Sequence, residues 1–220
     1  MNISIPGFSS PAASTEAPLE MLAACHIRIT RQCATLRRLA AHLAGHGADE
    51  QARSAAAGVL RYFDTAAPLH HADEEQNLFP ALLESMAGSD PVCLKGMTQG
   101  LSDEHRELET AWARLRPRLQ AIAAAAQPGD EDSATRGPGG GTASPSPDGG
   151  QAVAEPPGGA ALPSAACLPA AEVEAFAALY ERHIRVEEDE LLPMAARLLS
   201  DDELARIGRA MRERRGIPPV

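Results

Sequence analysis

Two segments of the sequence carry histidine and glutamate at the same spacing. HHADEEQNLFP begins at His70 and HIRVEEDELLP begins at His183, so both fit the pattern H-x-x-x-E-E-x-x-L-x-P. Residues four apart in a helix lie on one face. His70 with Glu74, and His183 with Glu187, would therefore each present a ring nitrogen and a carboxylate oxygen in the same direction. Such paired donors indicate a metal site.

The surrounding sequence predicts the helices that would position these donors. Four segments carry apolar residues at every third or fourth position, which is the stripe that a helix buries in a bundle. Each stripe is interrupted by a histidine at a core position, and the second and fourth are interrupted again by a glutamate one turn later. The four segments run from about 18 to 43, 49 to 86, 94 to 126 and 169 to 199.

Burial of these polar groups requires a compensating charge. An ionised carboxylate buried without a partner costs several kcal/mol. Four imidazoles and two carboxylates are too many ligands for one tetrahedral zinc ion and too rich in nitrogen for calcium or magnesium. They suit two transition-metal ions joined by the two carboxylates, with iron as the first choice and manganese as the alternative. The predicted ligands are His26, His70, Glu74, His105, His183 and Glu187.

These motifs resemble those of the hemerythrin-like domain, also called the HHE cation-binding domain. The likeness rests on the histidine of the first helix, on HHADEEQNLFP, on the histidine in DEHRELE and on HIRVEEDELLP, and it covers roughly residues 18–199 apart from one loop. It implies an up-down-up-down four-helix bundle that holds a non-haem di-iron centre. It also implies that dioxygen or a related diatomic molecule, such as nitric oxide, is the ligand of that centre.

The sequence departs from oxygen-carrying hemerythrin at the third helix. The carrier has an H-x-x-x-H pair there, whereas Leu101 stands four residues before His105. One nitrogen ligand is therefore missing. The carrier also has an acid five residues after its last histidine, which corresponds to Glu188. These differences favour a redox, nitric-oxide or iron-handling role over reversible oxygen carriage.

Neighbouring residues offer alternative ligands. His71 and Glu75 form a second pair four residues apart, and a kink or break expected at Pro68 would rotate them inward. Glu187 is preferred to Glu188 because it continues the apolar stripe, whereas Glu188 points about 100° further round the helix. Whether His71, Glu75 or Glu188 replaces a predicted ligand stays open at this point.

The remaining sequence predicts one domain with two irregular segments. The segment at 127–168 is rich in Gly, Pro, Ser and Ala. Such a segment cannot bury enough apolar surface to fold, so we expect a disordered loop. A short charged helix with Ser200 as its N-cap should follow the fourth helix and carries no evident chemistry. Asp73 is expected to face solvent. The predicted divisions are a tail at 1–16, helices 1–3 at 17–126, the loop at 127–168, and helix 4 with the short helix at 169–214.

Composition excludes several classes of protein. The 220 residues have a net charge of −10, which argues against nucleic acid as a partner. No apolar run approaches the ~20 residues of a membrane span, and the first residues lack the pattern of a signal peptide. The four cysteines form no C-x-x-C pair and predict free thiols. We therefore expect a cytoplasmic protein without membrane contact.

Three functions follow as hypotheses. The first is a di-iron protein that senses, stores or scavenges dioxygen, nitric oxide or iron. The second is a di-iron oxidoreductase acting on peroxide or nitric oxide, although the sequence contains no nucleotide-binding or C-x-x-C redox motif. The third is a metal-free helical interaction module. The sequence alone leaves open whether the protein is an enzyme.

Overall fold

The computed structural model describes residues 15–86, 92–125 and 167–218, and no strand occurs among them. The described residues form four long helices and one short helix. The long helices α2 and α4 are continuous, although each contains wider turns. The helices are α1 (Pro18–His46), α2 (50–85), α3 (Val92–Ala123), α4 (170–198) and α5 (Asp201–Arg214).

The long helices form an up-down-up-down bundle. α1 packs on α2 and α4, and α3 packs on the same two helices. Only three residues connect α1 to α2, so these helices run antiparallel. The short α5 packs across one end, against α1 and α2. The predicted all-α bundle with a short last helix is confirmed. None of the described helices is long and apolar enough to cross a membrane.

The predicted irregular segments fall mostly outside the described residues. Of the tail at 1–16, only Thr15 and Glu16 are described, and of the loop at 127–168, only the last two residues are. Leu168, one of those two, is buried in the apolar core beside α3 and α4. The chain is therefore packed in the core before α4 begins.

Local signals in the sequence explain where the helices begin. α1 starts with Pro18, whose missing N–H and fixed φ suit a first turn. Asp49 caps α2 by accepting a hydrogen bond from the Ala52 N–H. Ser200 and Glu203 form a reciprocal capping box at the start of α5, which confirms the predicted N-cap.

Proline residues explain the wider, π-helical turns of α2 and α4. In these turns a backbone N–H bonds to the carbonyl five residues earlier, as Phe79 does to Glu74 and Leu192 does to Glu187. The next residue in each case is Pro80 or Pro193, which lacks an N–H and crowds the carbonyl four residues before it. A widened turn relieves that crowding without ending the helix.

The same adjustment occurs at Pro68. Instead of the expected kink or break, α2 widens into a π turn over Tyr62–Ala66 and continues as an α-helix. The histidines that follow therefore stay on the same continuous helix as the residues before the proline.

The apolar core is divided into two clusters. The first cluster lies toward the α1–α2 connection and includes Ile29, Phe63, Leu108 and Phe176. The second lies toward α5 and includes Leu22, Leu78, Leu101 and Leu191. Along α1, His26 falls between Leu22 and Ile29. Along the other three long helices the predicted ligands are likewise preceded by a residue of one cluster and followed by a residue of the other. The predicted ligands thus form a polar layer between the two clusters.

Candidate metal centre

The structure brings all six predicted ligands together in the polar layer. Each has an exposed fraction of 1% or less. Their ligand atoms form two overlapping groups, and within each group these atoms lie within 4.8 Å of one another, a separation that one ion can accommodate. Glu74 and Glu187 belong to both groups. The first group adds His26 and His70, and the second adds His105 and His183.

Each shared carboxylate faces both groups. One oxygen of Glu74, Oε1, lies 3.3 Å from Nε2 of His70, and the other, Oε2, lies 3.4 Å from Nε2 of His105. Glu187 divides its oxygens in the same way: Oε2 lies 3.0 Å from Nε2 of His26, and Oε1 lies 3.2 Å from Nε2 of His183. This is the arrangement required of two carboxylates that bridge a pair of cations.

The buried polar atoms of the layer fit a metal pair. Both oxygens of Glu74 and both ring nitrogens of His70 are buried without a hydrogen bond among the described residues. Nε2 of His105 and Nε2 of His183 face each other at 3.1 Å. Buried carboxylates and facing imidazoles are costly unless a positive charge lies among them. The donor set of four nitrogens and two carboxylates that belong to both groups could hold such charges.

The pKa values show how the metal-free pocket distributes its protons. Burial and the charge of Glu187 hold the pKa of Glu74 well above its ordinary value. Burial would lower the pKa of His26, but its contacts with Glu187 and Glu188 outweigh burial and raise it to about 10. Burial would raise the pKa of Glu187, but His183 and His26 hold it well below the usual range. With a pKa of about 10, His26 carries a positive charge beside Glu187 at neutral pH.

Metal binding should therefore release protons at neutral pH. His26, with a pKa of about 10, must lose a proton before it can coordinate a cation, and the raised pKa of Glu74 acts in the same direction, so metal affinity should fall as the pH is lowered. We expect acidification when Zn²⁺ or anaerobic Fe²⁺ is added to metal-free protein in weak buffer at pH 7, measured with an indicator dye. The His26→Ala variant should release fewer protons per ion bound. Binding without any change in pH would contradict the proton distribution described above.

Three glutamates fix the outward-facing nitrogens of the histidines. Nδ1 of His105 donates to Glu75 at 2.8 Å, and Nδ1 of His26 donates to Glu188 at 3.2 Å. Nδ1 of His183 donates to Glu104 at 2.9 Å. Because a carboxylate accepts a hydrogen bond from Nδ1–H, each contact orients its ring so that Nε2 faces the pocket, where it can coordinate a cation once it carries no proton.

The two glutamates of each E-E pair, Glu74–Glu75 and Glu187–Glu188, occupy different positions. Glu74 and Glu187 lie inside the pocket, whereas Glu75 and Glu188 lie at its outside and contact a histidine of another helix. The alternative ligands Glu75 and Glu188 are thus not among the grouped donors. Sequence reasoning missed Glu104, and its only signal was its position next to His105 in DEHRELE.

His71, the remaining alternative ligand, lies beside the pocket. It is buried, and its ring stacks on that of His105 with centroids 4.0 Å apart. Its Nε2 is buried without a hydrogen bond, yet His71 is in neither group of donors. His71 therefore packs against a predicted ligand. Leu101, four residues before His105, is buried in the second apolar cluster and offers no ligand atom.

The expectation that Asp73 faces solvent is wrong. Asp73 is fully buried and forms ion pairs with Arg214 and Arg215 at the end of α5, the latter at 2.5 Å. Arg214 also donates to the side chains of Gln76 at 2.9 Å and Asn77 at 2.8 Å. Both residues belong to the π turn that begins at Glu74. The short helix α5 thus contacts this π turn through the side chain of Arg214, on the side of α2 that faces away from the pocket.

Comparison with known proteins agrees with the fold and the pocket. The chain shares 28% identity over 205 residues with a Haemophilus influenzae protein described only as an uncharacterized protein, and the alignment covers 93% of this chain and 94% of that protein. The family model of the hemerythrin HHE cation binding domain matches residues 17–144. The match includes His26, His70, Glu74 and His105, and the structure adds His183 and Glu187 from α4. The chain belongs to the hemerythrin HHE cation-binding domain family.

Proposed function

We propose that the protein holds two iron ions in the polar layer and binds a small diatomic ligand, dioxygen or nitric oxide, at that centre. His26 and His70 would hold one ion, His105 and His183 the other, and Glu74 and Glu187 would bridge them. The observation that supports this most directly is the division of each bridging carboxylate between the two groups. Manganese is the alternative metal, because it accepts similar donors.

The composition of the pocket supports a small ligand. Each ion would receive two imidazole nitrogens and two bridging oxygens from the protein, which is fewer than the six donors of octahedral coordination. Leu101 supplies no further donor. The ions would supply redox-active positions that remain open to an added ligand. The six donors are buried between the two apolar clusters, which favours a small ligand over a large substrate.

The protein's own residues would hold the centre in a dry, ordered state. Glu75, Glu104 and Glu188 orient three of the histidines, while the buried carboxylates are shielded from bulk water. We propose that this centre serves in sensing, storage or scavenging of the diatomic ligand or of iron, in the cytoplasm. The net charge of −10 supports a role that does not involve nucleic acid.

Metal analysis combined with optical spectroscopy tests this proposal. Protein produced with iron and purified without oxygen is expected to contain two iron ions per chain. After exposure to air it should develop the near-ultraviolet absorption of a bridged di-iron pair. The matched control is Glu109→Ala, which changes an exposed glutamate on α3 and should leave both results unchanged. A content of one ion or none per chain, under loading with either iron or manganese, would contradict the proposal.

A further inference from the structure

The four predicted histidine ligands differ in the contacts of their outward-facing nitrogens. Nδ1 of His105 and Nδ1 of His183 each donate to a carboxylate within 2.9 Å, that of Glu75 and that of Glu104. Both histidines of the second group are therefore fixed in one ring orientation and one tautomer.

The first group lacks one of these contacts. His26 donates from Nδ1 to Glu188 at the longer distance of 3.2 Å. His70 is fully buried, and neither of its ring nitrogens has a hydrogen bond among the described residues. The ring of His26 packs edge-on against His70, with centroids 5.0 Å apart, but this contact selects no tautomer.

The donors that face the pocket do not otherwise distinguish the groups. Each group has two imidazoles, and both share the oxygens of Glu74 and Glu187. The difference between the two ion positions therefore lies in the outer contacts and their charges. Removing an outer partner of a metal-binding histidine commonly lowers metal affinity about 10- to 100-fold.

We propose that the two ion positions are unequal, and that His105 and His183 hold their ion about 10- to 100-fold more tightly than His26 and His70 hold theirs. This inference rests on the proposed two-ion centre. Glu75 and Glu104 act as positioning residues for the tight position. Glu188 acts alone at the weak position, because His70 has no positioning partner within the described part of the chain. The protein can then retain one ion at His105 and His183 while the position at His26 and His70 exchanges its ion with solution.

Stepwise chelation tests the proposal without measuring activity. Metal-free protein is loaded anaerobically with Fe²⁺ to two ions per chain and equilibrated with increasing concentrations of a chelator, and the retained iron is measured. The wild-type protein should lose its ions in two steps separated by about 10- to 100-fold in free Fe²⁺ concentration. Glu188→Ala should move only the first step to lower chelator concentration. Glu104→Ala should move the second step and bring the two together.

Both variants are expected to fold, because the side chains they remove are partly exposed, 29% for Glu104 and 33% for Glu188. Glu109→Ala is the control on α3. Loss of both wild-type ions in one step, or a shift of the first step by Glu104→Ala, would overturn the inequality while leaving the two-ion centre in place. Uptake of fewer than two ions would contradict the proposed function itself, so the two failures are distinguishable.

Variants of the ligands assign the steps to positions. His70→Ala should retain one ion that leaves at the second step of the wild-type protein. His183→Ala should retain one ion that leaves at a lower chelator concentration than that step. The reverse order would overturn the assignment.

Discussion

Glu74→Gln is expected to remove both ions from the protein without lowering the stability of the metal-free state. Burial and the charge of Glu187 raise the pKa of Glu74 well above its ordinary value, which favours its neutral form, and Gln has the charge and nearly the shape of that form. Glutamine cannot supply the bridging negative charge. Since the loss of an outer partner alone costs about 10- to 100-fold, removal of the bridge should cost more than about 100-fold at both positions. Metal content and thermal unfolding in the presence of chelator measure the two effects.

Glu187→Gln is the informative contrast. Glu187 is ionised in the metal-free pocket, where it contacts His26 at 3.0 Å and His183 at 3.2 Å. Its depressed pKa contributes stability above the pKa of the unfolded chain, and that stability is lost as the pH falls through the lower folded value. Neutralising it should destabilise the metal-free protein by about 3–5 kcal/mol at pH 7. Equal stability of the two glutamine variants would show that the protons are distributed differently.

The second large effect is expected from the pair of arginines at the end of α5. Replacing both Arg214 and Arg215 with Ala removes both ion-pair partners of the buried Asp73. Loss of the partners of a buried charge costs about 3–5 kcal/mol. For a chain of this size, the midpoint of thermal unfolding should fall by roughly 6–20 °C. Metal affinity should fall as well, because the π turn that begins at Glu74 loses its contacts through Gln76 and Asn77.

Two further variants separate the lost charge pairing from a general weakening of α5. Arg209→Ala removes an exposed arginine of the same helix that has no ion pair among the described residues, and it should have little effect. Adding Asp73→Asn to the double arginine variant should recover part of the lost stability, since it removes the unpaired charge. A triple variant less stable than the double variant would contradict this explanation.

The bundle and the positions of the donors could be predicted from the sequence because both depend on helical periodicity. His26 and His105 occupy positions within the apolar stripes, so the periodicity places them on the buried faces of their helices. The same rule placed Glu187 toward the core and Glu188 outside it, where the structure also has them. That these residues bind the ions stays a prediction.

The contacts between distant helices could not be predicted in the same way. Asp73 looks like a solvated residue because its charge breaks no apolar stripe, and its partners follow about 140 residues later on a helix whose packing the pattern does not define. The contact of Glu104 with His183 also joins two helices. Periodicity predicts which face of a helix is buried, but the partner of each side chain depends on how the helices pack.

The proline-dependent turns were predicted only in part. Pro68 indicates a local departure from the α-helix, but its missing N–H and the crowding of its ring do not decide between a break and a widened turn. The tertiary packing of α2 on α1 and α3 keeps the helix continuous. The widened turns before Pro80 and Pro193, which begin at Glu74 and Glu187, were not predicted.

The apolar core is divided into two clusters by the polar layer. Whether the two halves of the bundle unfold together should therefore depend on how strongly this layer connects them. Without ions, the two apolar clusters are linked through the continuous backbones of the helices and through a layer of buried donors, several of which have no hydrogen bond among the described residues. Each half can then open as a separate unit of local unfolding. With ions bound, residues of all four long helices are tied to common centres, and the two halves should open as one. Ion binding would thereby change local unfolding throughout the bundle, from two separate units to one.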